Sequence, residues 1–259
     1  MGSASEDGAG SPLAAKDRAE RPRDAATLVL VDYSRGEPRV LMGRRRADQI
    51  FLPNKFVFPG GRVDRADARA PSADELRSAE STKLMIEMRG DPSPSRPRAL
   101  ALAAIRETFE ETGLLVGAQR MANRLPEAGP WRGYLALGVI PRLSSLTFFA
   151  RAITPPGRPR RYDTRFFTAE ASEIAHRVEV TDGELSGIDW FNFDDMRSLD
   201  LPGITRVVIE DLADRLKAGL PGPPDAPVPF YFQRNGTSER VLLAMSHPPR
   251  PTAGVVPPD

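Results

Sequence analysis

Three glutamates crowd into one short segment, AIRETFEETGLL, at residues 104–115. Glu107, Glu110 and Glu111 follow the i, i+3, i+4 spacing, so on a helix all three project from one face. Gly113 comes directly after them and is typical of a helix end, where partial negative charge makes carboxylates unfavourable. A bound hard cation such as Mg²⁺ or Mn²⁺ would relieve both penalties, because such ions prefer oxygen ligands.

An ordinary explanation of the same segment is a solvated acidic face on which Arg106 pairs with Glu110 at i, i+4. The glutamates alone leave both interpretations open. A second feature favours the cation: the segment FPGGRV places Gly60 and Gly61 after an aromatic strand. Glycine lets the backbone approach a ligand closely, so this turn and the glutamates together indicate a binding site.

The elements that must position these residues read as strands mixed with helices. The segments at 25–33 and 39–45 predict a β-hairpin, and Gly113 ends a helix predicted over 97–112. Further strands are predicted at 55–63, 145–153, 161–169 and 183–193, helices at 72–90 and 204–220, and a Pro/Ser linker at 91–98. This order predicts an α/β domain with helices packed on a mixed sheet.

Composition excludes several classes of protein. The chain has 259 residues, no cysteine, two histidines and a net charge of +1. Disulfides, thiolate zinc sites and thiol nucleophiles are therefore excluded, and a Ser-His-Asp hydrolase has almost no support. The near-neutral charge argues against a nucleic-acid binder, and no apolar run is long enough to span a membrane. We expect a cytoplasmic protein.

Three regions are predicted along the chain. Residues 1–24 are polar and charged and predict a disordered tail. Residues 25–245 predict one domain, and the Pro-rich residues 246–259 predict a flexible tail.

The chain resembles the Nudix hydrolase family, whose signature is a glycine, five residues, a glutamate, seven residues and then R-E-U-x-E-E-x-G-U, where U is aliphatic. Here Gly61 starts the pattern, Asp67 stands where glutamate is expected, and residues 106–114 read RETFEETGL. Thr108 replaces an aliphatic residue. The separation of Asp67 from Arg106 is 38 residues instead of seven, which indicates an insertion at 68–98.

The resemblance implies an α/β/α Nudix sandwich around a mixed sheet, with a helical insertion inside the signature. It implies Mg²⁺ or Mn²⁺ held by Glu107, Glu110 and Glu111, with the Gly60 carbonyl as a further ligand. Arg106 would orient the glutamates through charge-assisted hydrogen bonds. The general base is expected to be a signature glutamate or a later carboxylate, Glu184 first and Asp182 second, although both also suit a solvated turn.

Four residues are predicted to face the substrate: Arg44, Arg45, Gly61 and Arg165. Two alternatives stay open. The arginines at 44–46 also suit a solvated strand edge, and Arg165 also suits an ion pair with Asp163. Trp131 is assigned no role.

The interrupted signature is similar to that of the coenzyme A diphosphatases within the family. This branch implies a small-molecule nucleotide substrate, coenzyme A or acyl-coenzyme A, cut to 3′,5′-ADP and a phosphopantetheine product. A broader ADP-ribose or NADH pyrophosphatase and a non-catalytic nucleotide-binding module are the alternatives. The resemblance involves no nucleic-acid or membrane partner, and it leaves a homodimer open.

Overall fold

The computed structural model describes residues 21–49, 52–90, 92–119, 128–180, 183–245 and 251–252. The strands are β1 (Arg23–Asp32), β2 (Arg39–Arg45), β3 (Phe56–Val57), β4 (Gly60–Arg62), β5 (Leu114–Gln119), β6 (Val139–Pro141), β7 (Thr147–Ile153), β8 (Tyr162–Glu170), β9 (Ile174–Arg177), β10 (Leu185–Phe191), β11 (Val228–Arg234), β12 (Thr237–Leu243) and β13 (Pro251–Thr252). The helices are α1 (Ser78–Met85), α2 (Ser95–Thr112), α3 (Trp131–Ala136), α4 (Phe193–Ser198) and α5 (Gly203–Lys217). Within these ranges, no helix combines the length and apolar character that crossing a bilayer requires.

The main sheet is mixed and runs in the order β10-β2-β1-β8-β7-β11-β12-β13, with β3 added to β2 and β4 added to β1. Strand β1 lies parallel to β8, and β7 lies parallel to β11, while the other pairs are antiparallel. A second sheet has the order β6-β5-β9. The predicted hairpin of β1 and β2 is confirmed, with Val31 opposite Val40.

Alternate residues of β1 enter two separate cores, one on each face of the main sheet. Leu28 and Leu30 pack toward α2 and the second sheet, whereas Val29 and Val31 pack toward α4 and α5. This is the two-residue period of a strand that is buried on both faces. The predicted α/β/α layering around a mixed sheet is confirmed.

Helix α2 is the longest helix and carries the three glutamates of interest. Its first turn contains Pro97, whose missing N–H is not needed there. Four alanines between residues 99 and 104 favour the helix and let it lie close to the sheet. Gly113 ends it in the left-handed conformation, with φ 71°, and its N–H donates to the Phe109 carbonyl.

The region of the insertion differs from the prediction. Helix α1 covers only Ser78–Met85, so the helix predicted over 72–90 is too long at both ends. Ile86 is extended and Glu87 has φ 50°, which ends the helix early. The predicted linker is too long as well, because α2 already begins at Ser95.

The predicted ends of the domain also shift slightly. Strand β1 begins at Arg23, inside the predicted tail, and Pro251–Thr252 pairs with β12. Residues 1–20, 246–250 and 253–259 of the predicted tails lie outside the described residues.

Candidate active site

The last two turns of α2 carry Glu107, Glu110 and Glu111. They lie beside Gly60 and Gly61, the first two residues of β4. A Cβ atom at Gly61 would overlap the Glu107 carboxylate, so a larger residue here would displace that carboxylate from its present position. The Gly60 N–H donates to Glu111 Oε2 at 2.9 Å. The two features singled out from the sequence therefore form one site.

Arg106 is the centre of this site. Its Nη1 atom donates to Glu107 Oε1 and to Glu110 Oε2, both at 2.9 Å, and its Nη2 atom donates to the Arg62 carbonyl at 3.0 Å. The guanidinium is buried, and burial acts to lower its pKa. The hydrogen bonds with Asp67 and the surrounding carboxylates outweigh burial and raise the pKa above its ordinary value.

Asp67 fixes the other side of Arg106. Its two carboxylate oxygens accept from Arg106 Nε at 2.9 Å and Nη2 at 3.0 Å, and the carboxylate is fully buried. The Asp64 N–H and the Trp131 indole N–H complete its hydrogen bonding, at 2.7 and 2.9 Å. Trp131, which was assigned no role, is thus part of the site, and its partner lies 64 residues away in the sequence.

The glutamates are buried to different degrees. Glu111 is 5% exposed, and the side chains of Glu107 and Glu110 are 16% and 40% exposed. Burial raises the pKa of Glu107 to about 7 and that of Glu111 to about 8, against the opposing effects of Arg106 and the Gly60 N–H respectively. Burial also raises the pKa of Glu110. The predicted Arg106–Glu110 ion pair is present, but a solvated acidic face is not.

The donor set fits a hard divalent cation. Among the described residues, each of the three glutamates keeps one carboxylate oxygen that no hydrogen bond engages. Three carboxylates, those of Asp67, Glu107 and Glu110, pair with the single charge of Arg106, so negative charge is in excess. In the described part of the chain, no three acidic, histidine or cysteine side chains already surround a single point.

Arg45 and Glu184 lie beside Glu111. Arg45 Nη2 donates to Glu184 Oε2 at 3.0 Å, and both charges act on the pKa of Glu111. A Cβ atom at Gly183 would lie 3.0 Å from the Glu111 carbonyl, which places the start of this loop against the end of α2. Glu184 is 57% exposed and is therefore accessible to a substrate. Asp182, the other predicted base, lies outside the described residues.

Arg44 and Arg165 do not join this site. Met42 belongs to the core beside α5 and Leu41 to the core beside α2, so strand alternation places Arg44 on the face away from the glutamates. Arg165 is fully buried and bonds to Asp24 Oδ1 and Asp163 at 2.9 and 3.0 Å. The alternative of an Arg165–Asp163 ion pair is the one that the structure supports.

A family model described as the NUDT19 Nudix domain matches residues 11–199. The chain belongs to the Nudix hydrolase family. A putative Nudix hydrolase 7 from Caenorhabditis elegans is 29% identical over 65% of the chain and 50% of its own length. An acyl-coenzyme A diphosphatase NUDT19 from Gallus gallus is 30% identical over 56% of the chain and 54% of its own length. The chain thus spans about half the length of these relatives.

The Nudix fold is also found in a solved relative. A Nudix hydrolase from Alicyclobacillus acidocaldarius has a TM-score of 0.54 and is 28% identical, with 73% of this chain and 90% of that chain covered.

One departure from the Nudix signature, Thr108, is accommodated within the helix. Thr108 is buried, but its hydroxyl donates to the Ala104 carbonyl at 2.8 Å, so the helix itself satisfies the polar group.

Proposed function

We propose that this Nudix hydrolase cleaves the diphosphate bond of a nucleoside diphosphate linked to a second group, X, in a reaction that depends on Mg²⁺ or Mn²⁺. One observation carries the proposal: Arg106 holds Glu107 and Glu110 beside Glu111, while each glutamate keeps one carboxylate oxygen that no described residue engages by hydrogen bond. Such an excess of buried, oxygen-bearing negative charge suits a hard cation bound to a phosphate.

The reaction adds water across the P–O–P linkage: one phosphorus takes the hydroxyl, and the other leaves with the bridging oxygen. When bound, the cation would neutralise the diphosphate and lower the pKa of a coordinated water. Glu107, Glu110 and Glu111 would hold it, with the Gly60 carbonyl as a further ligand. Arg106 keeps the carboxylates in place before substrate arrives, which removes a cost of ordering them during the reaction.

Two residues outside the signature complete the proposed machinery. Glu184, exposed beside Glu111, would accept a proton from the attacking water. Arg45 lies on the same face, so it would bind a substrate phosphate and exchange its contact with Glu184 for that phosphate. Gly61 allows the close approach of backbone and substrate at this point.

Coenzyme A or acyl-coenzyme A is the proposed substrate class, with 3′,5′-ADP and phosphopantetheine or its acyl ester as products. The support is the match to the NUDT19 Nudix domain and the similarity to the chicken acyl-coenzyme A diphosphatase. The interrupted signature points to the same branch.

A substrate panel tests this proposal. Coenzyme A, acetyl-coenzyme A, ADP-ribose, NADH and diadenosine polyphosphates are incubated with Mg²⁺, Mn²⁺ or EDTA, and the products are identified by mass spectrometry. Metal-dependent release of 3′,5′-ADP from coenzyme A is expected. Cleavage of ADP-ribose or NADH alone would contradict the substrate class, and binding of nucleotides without turnover would indicate a non-catalytic module.

Variants then assign the roles. Glu110→Gln and Glu111→Gln should each abolish turnover with the fold intact, whereas Glu75→Gln, an exposed glutamate that pairs with Arg98, should be neutral. Glu184→Gln should lower kcat by about 10²-fold or more if Glu184 is the base. Full activity of Glu184→Gln would return that role to a signature glutamate.

A further inference from the structure

We propose that Trp131 is a positioning residue, which holds the Asp67–Arg106 pair and through it the glutamates that bind the cation. The inference rests on the proposed function, since it concerns the same cation site. Among the described residues, the Trp131 indole N–H donates to Asp67 and not to Glu107 or Glu110. Its effect passes through Asp67, whose Oδ1 atom accepts from both Trp131 Nε1 and Arg106 Nε at 2.9 Å.

The first argument is the hydrogen bonding of Asp67. A carboxylate without solvent exposure needs a donor for each lone pair, because an unsatisfied buried charge is costly. Asp67 has four donors: two N–H groups of Arg106, the Asp64 N–H and the Trp131 indole. Among these four donors, only the indole lies outside the signature, since Asp64 belongs to its first half and Arg106 to its second half on α2. Removing it leaves Asp67 Oδ1 with Arg106 Nε as its single donor among the described residues, so one of four restraints on the carboxylate is lost.

The second argument is the length of the side chain. Asp67 is one methylene shorter than the glutamate of the signature, so its carboxylate has less reach toward Arg106. Asp67 lies in the first residue of a 3₁₀ turn, Asp67–Arg69, that contacts α2. The Trp131 ring lies against the same carboxylate and is 3% exposed. The Trp131 indole therefore adds a hydrogen bond that helps to hold the Asp67–Arg106 pair, which the shorter aspartate side chain holds less firmly than a glutamate would.

The third argument is the rigidity of α3, which carries Trp131. The Tyr134 ring packs edge-on against Trp131 and Phe109, with centroids 5.3 Å apart in both pairs. The Tyr134 hydroxyl donates to the Val116 carbonyl at 2.7 Å. Helix α3 is thus anchored to both α2 and β5, and its indole is a fixed donor. Partners of this outer kind commonly change metal affinity or activity by 10- to 100-fold when they are removed.

The test compares two variants that each remove one buried hydrogen bond from α3. Trp131→Phe removes the donor to Asp67 and keeps an aromatic ring. Tyr134→Phe removes the donor to Val116 and leaves Asp67 untouched. Binding of Mn²⁺ alone is measured by isothermal titration calorimetry, beside the thermal midpoint and the kcat and KM for the substrate found in the panel.

We expect both variants to lose a similar amount of thermal stability, and only Trp131→Phe to weaken Mn²⁺ binding, by about 10-fold. Its kcat should fall by a similar factor with KM within about twofold, because the substrate contacts are unchanged. Equal Mn²⁺ affinity in Trp131→Phe and wild type would overturn the inference. An equal loss in both variants would also overturn it, since it would show a general effect of stability.

A measurement on the unmodified protein covers the case in which Trp131→Phe does not fold. The chain has two tryptophans, so ¹⁵N-indole labelling gives two signals, which Trp190→Phe assigns. Addition of Mg²⁺ should shift the Trp131 signal and leave that of Trp190 in place. A stationary Trp131 signal in protein that binds Mg²⁺ would contradict the inference, whereas no binding of Mg²⁺ or Mn²⁺ by wild type would contradict the proposed function instead.

Discussion

Two buried aspartates each hold an arginine with two hydrogen bonds, and they do so near opposite ends of α2. Asp67 binds Arg106 at 2.9 and 3.0 Å beside the last turns of the helix. Asp163 binds Arg151 at 2.8 and 2.7 Å, and its network reaches the first turn of α2. The two pairs are nearly the same in geometry, but they differ in what the arginine and its neighbours contact next.

The network around Asp163 is closed in the sense that each of its two carboxylates, Asp163 and Asp24, pairs with two arginines. Arg165 bonds to both Asp163 and Asp24, and Asp24 also pairs with Arg96 of α2 at 2.7 Å. The remaining N–H groups of Arg151 donate to backbone carbonyls. Burial acts to raise the pKa of Asp163, but the Arg151 hydrogen bonds and the charge of Arg165 lower it below its ordinary value. Such a network stabilises a single packing of the strands β1, β7 and β8.

The network around Asp67 is open in the sense that a single arginine, Arg106, pairs with three carboxylates. Arg106 bonds to Asp67, Glu107 and Glu110, and the exposed fraction of these side chains increases in that order. Negative charge is in excess at this end. Burial raises the pKa values of the glutamates, so their ionised forms are costly there. On the proposed function, the Asp67–Arg106 pair serves the cation site because negative charge is in excess toward the surface there, whereas the Asp163 pair serves the packing of the strands.

The largest expected effect concerns the open network. Glu111→Gln should reduce turnover by about 10³-fold or more, because the charge stabilisation that a cation supplies amounts to several kcal/mol and each 1.36 kcal/mol is tenfold in rate. In the absence of metal the same variant should be as stable as wild type or more stable, because it removes a buried carboxylate whose pKa is raised to about 8. Steady-state kinetics and urea unfolding measure the two effects. A marked loss of stability in Glu111→Gln would contradict the idea of an unbalanced site.

The second effect concerns the closed network. Asp163→Asn should lower the free energy of unfolding by about 3–5 kcal/mol, because it leaves Arg151 and Arg165 buried without their main partner. Arg165 already has two buried nitrogen atoms, Nε and Nη2, without a hydrogen-bond partner among the described residues. The folded enzyme should keep its kcat. Asp67→Asn is the matched variant: it should lose stability and also lose activity, by about 10- to 100-fold. Equal kcat in the two variants would remove the distinction between the networks.

The site could be predicted where it depends on spacing within one element. The i, i+3, i+4 pattern and Gly113 were enough to place Glu107, Glu110 and Glu111 on the last turns of a helix. Strand alternation also predicts that Arg44 and Arg45 face opposite sides of the sheet, although both are predicted to bind substrate. A strand cannot present consecutive side chains to one face.

Other features of the molecule depend on contacts between segments that are distant in the sequence, and no local sequence pattern predicts these contacts. The bond between Trp131 and Asp67 forms only when α3 packs on α2, so Trp131 carried no signal in the sequence. The choice between substrate and Asp163 for Arg165 is decided by burial, which the sequence of β8 does not determine. Strands β11 and β12 were not predicted, and their antiparallel pairing and the parallel contact with β7 are likewise tertiary.

A third, smaller effect appears on acidification. The pKa of Asp163 is lowered from its ordinary value of 3.8, so its ion pairs contribute their full stability above that value and lose it as pH falls through the folded pKa. The difference in unfolding free energy between wild type and Asp163→Asn should therefore stay constant from about pH 7 to 5 and shrink below about pH 4. Urea titrations at each pH measure it. A difference that already shrinks between pH 7 and 5 would show that the arginines do not hold this carboxylate ionised.

The smallest expected effect concerns the ion pair of Arg45 with the exposed Glu184, at the edge of the open network. Glu184→Gln should change the free energy of unfolding by no more than about 1 kcal/mol, because water screens the 57% exposed carboxylate and competes for Arg45. Urea unfolding beside Asp163→Asn provides the scale. A cost as large as that of Asp163→Asn would place Glu184 in a closed structural network. A carboxylate held in that way would not be free to accept a proton, and the base would then have to be one of the glutamates of α2.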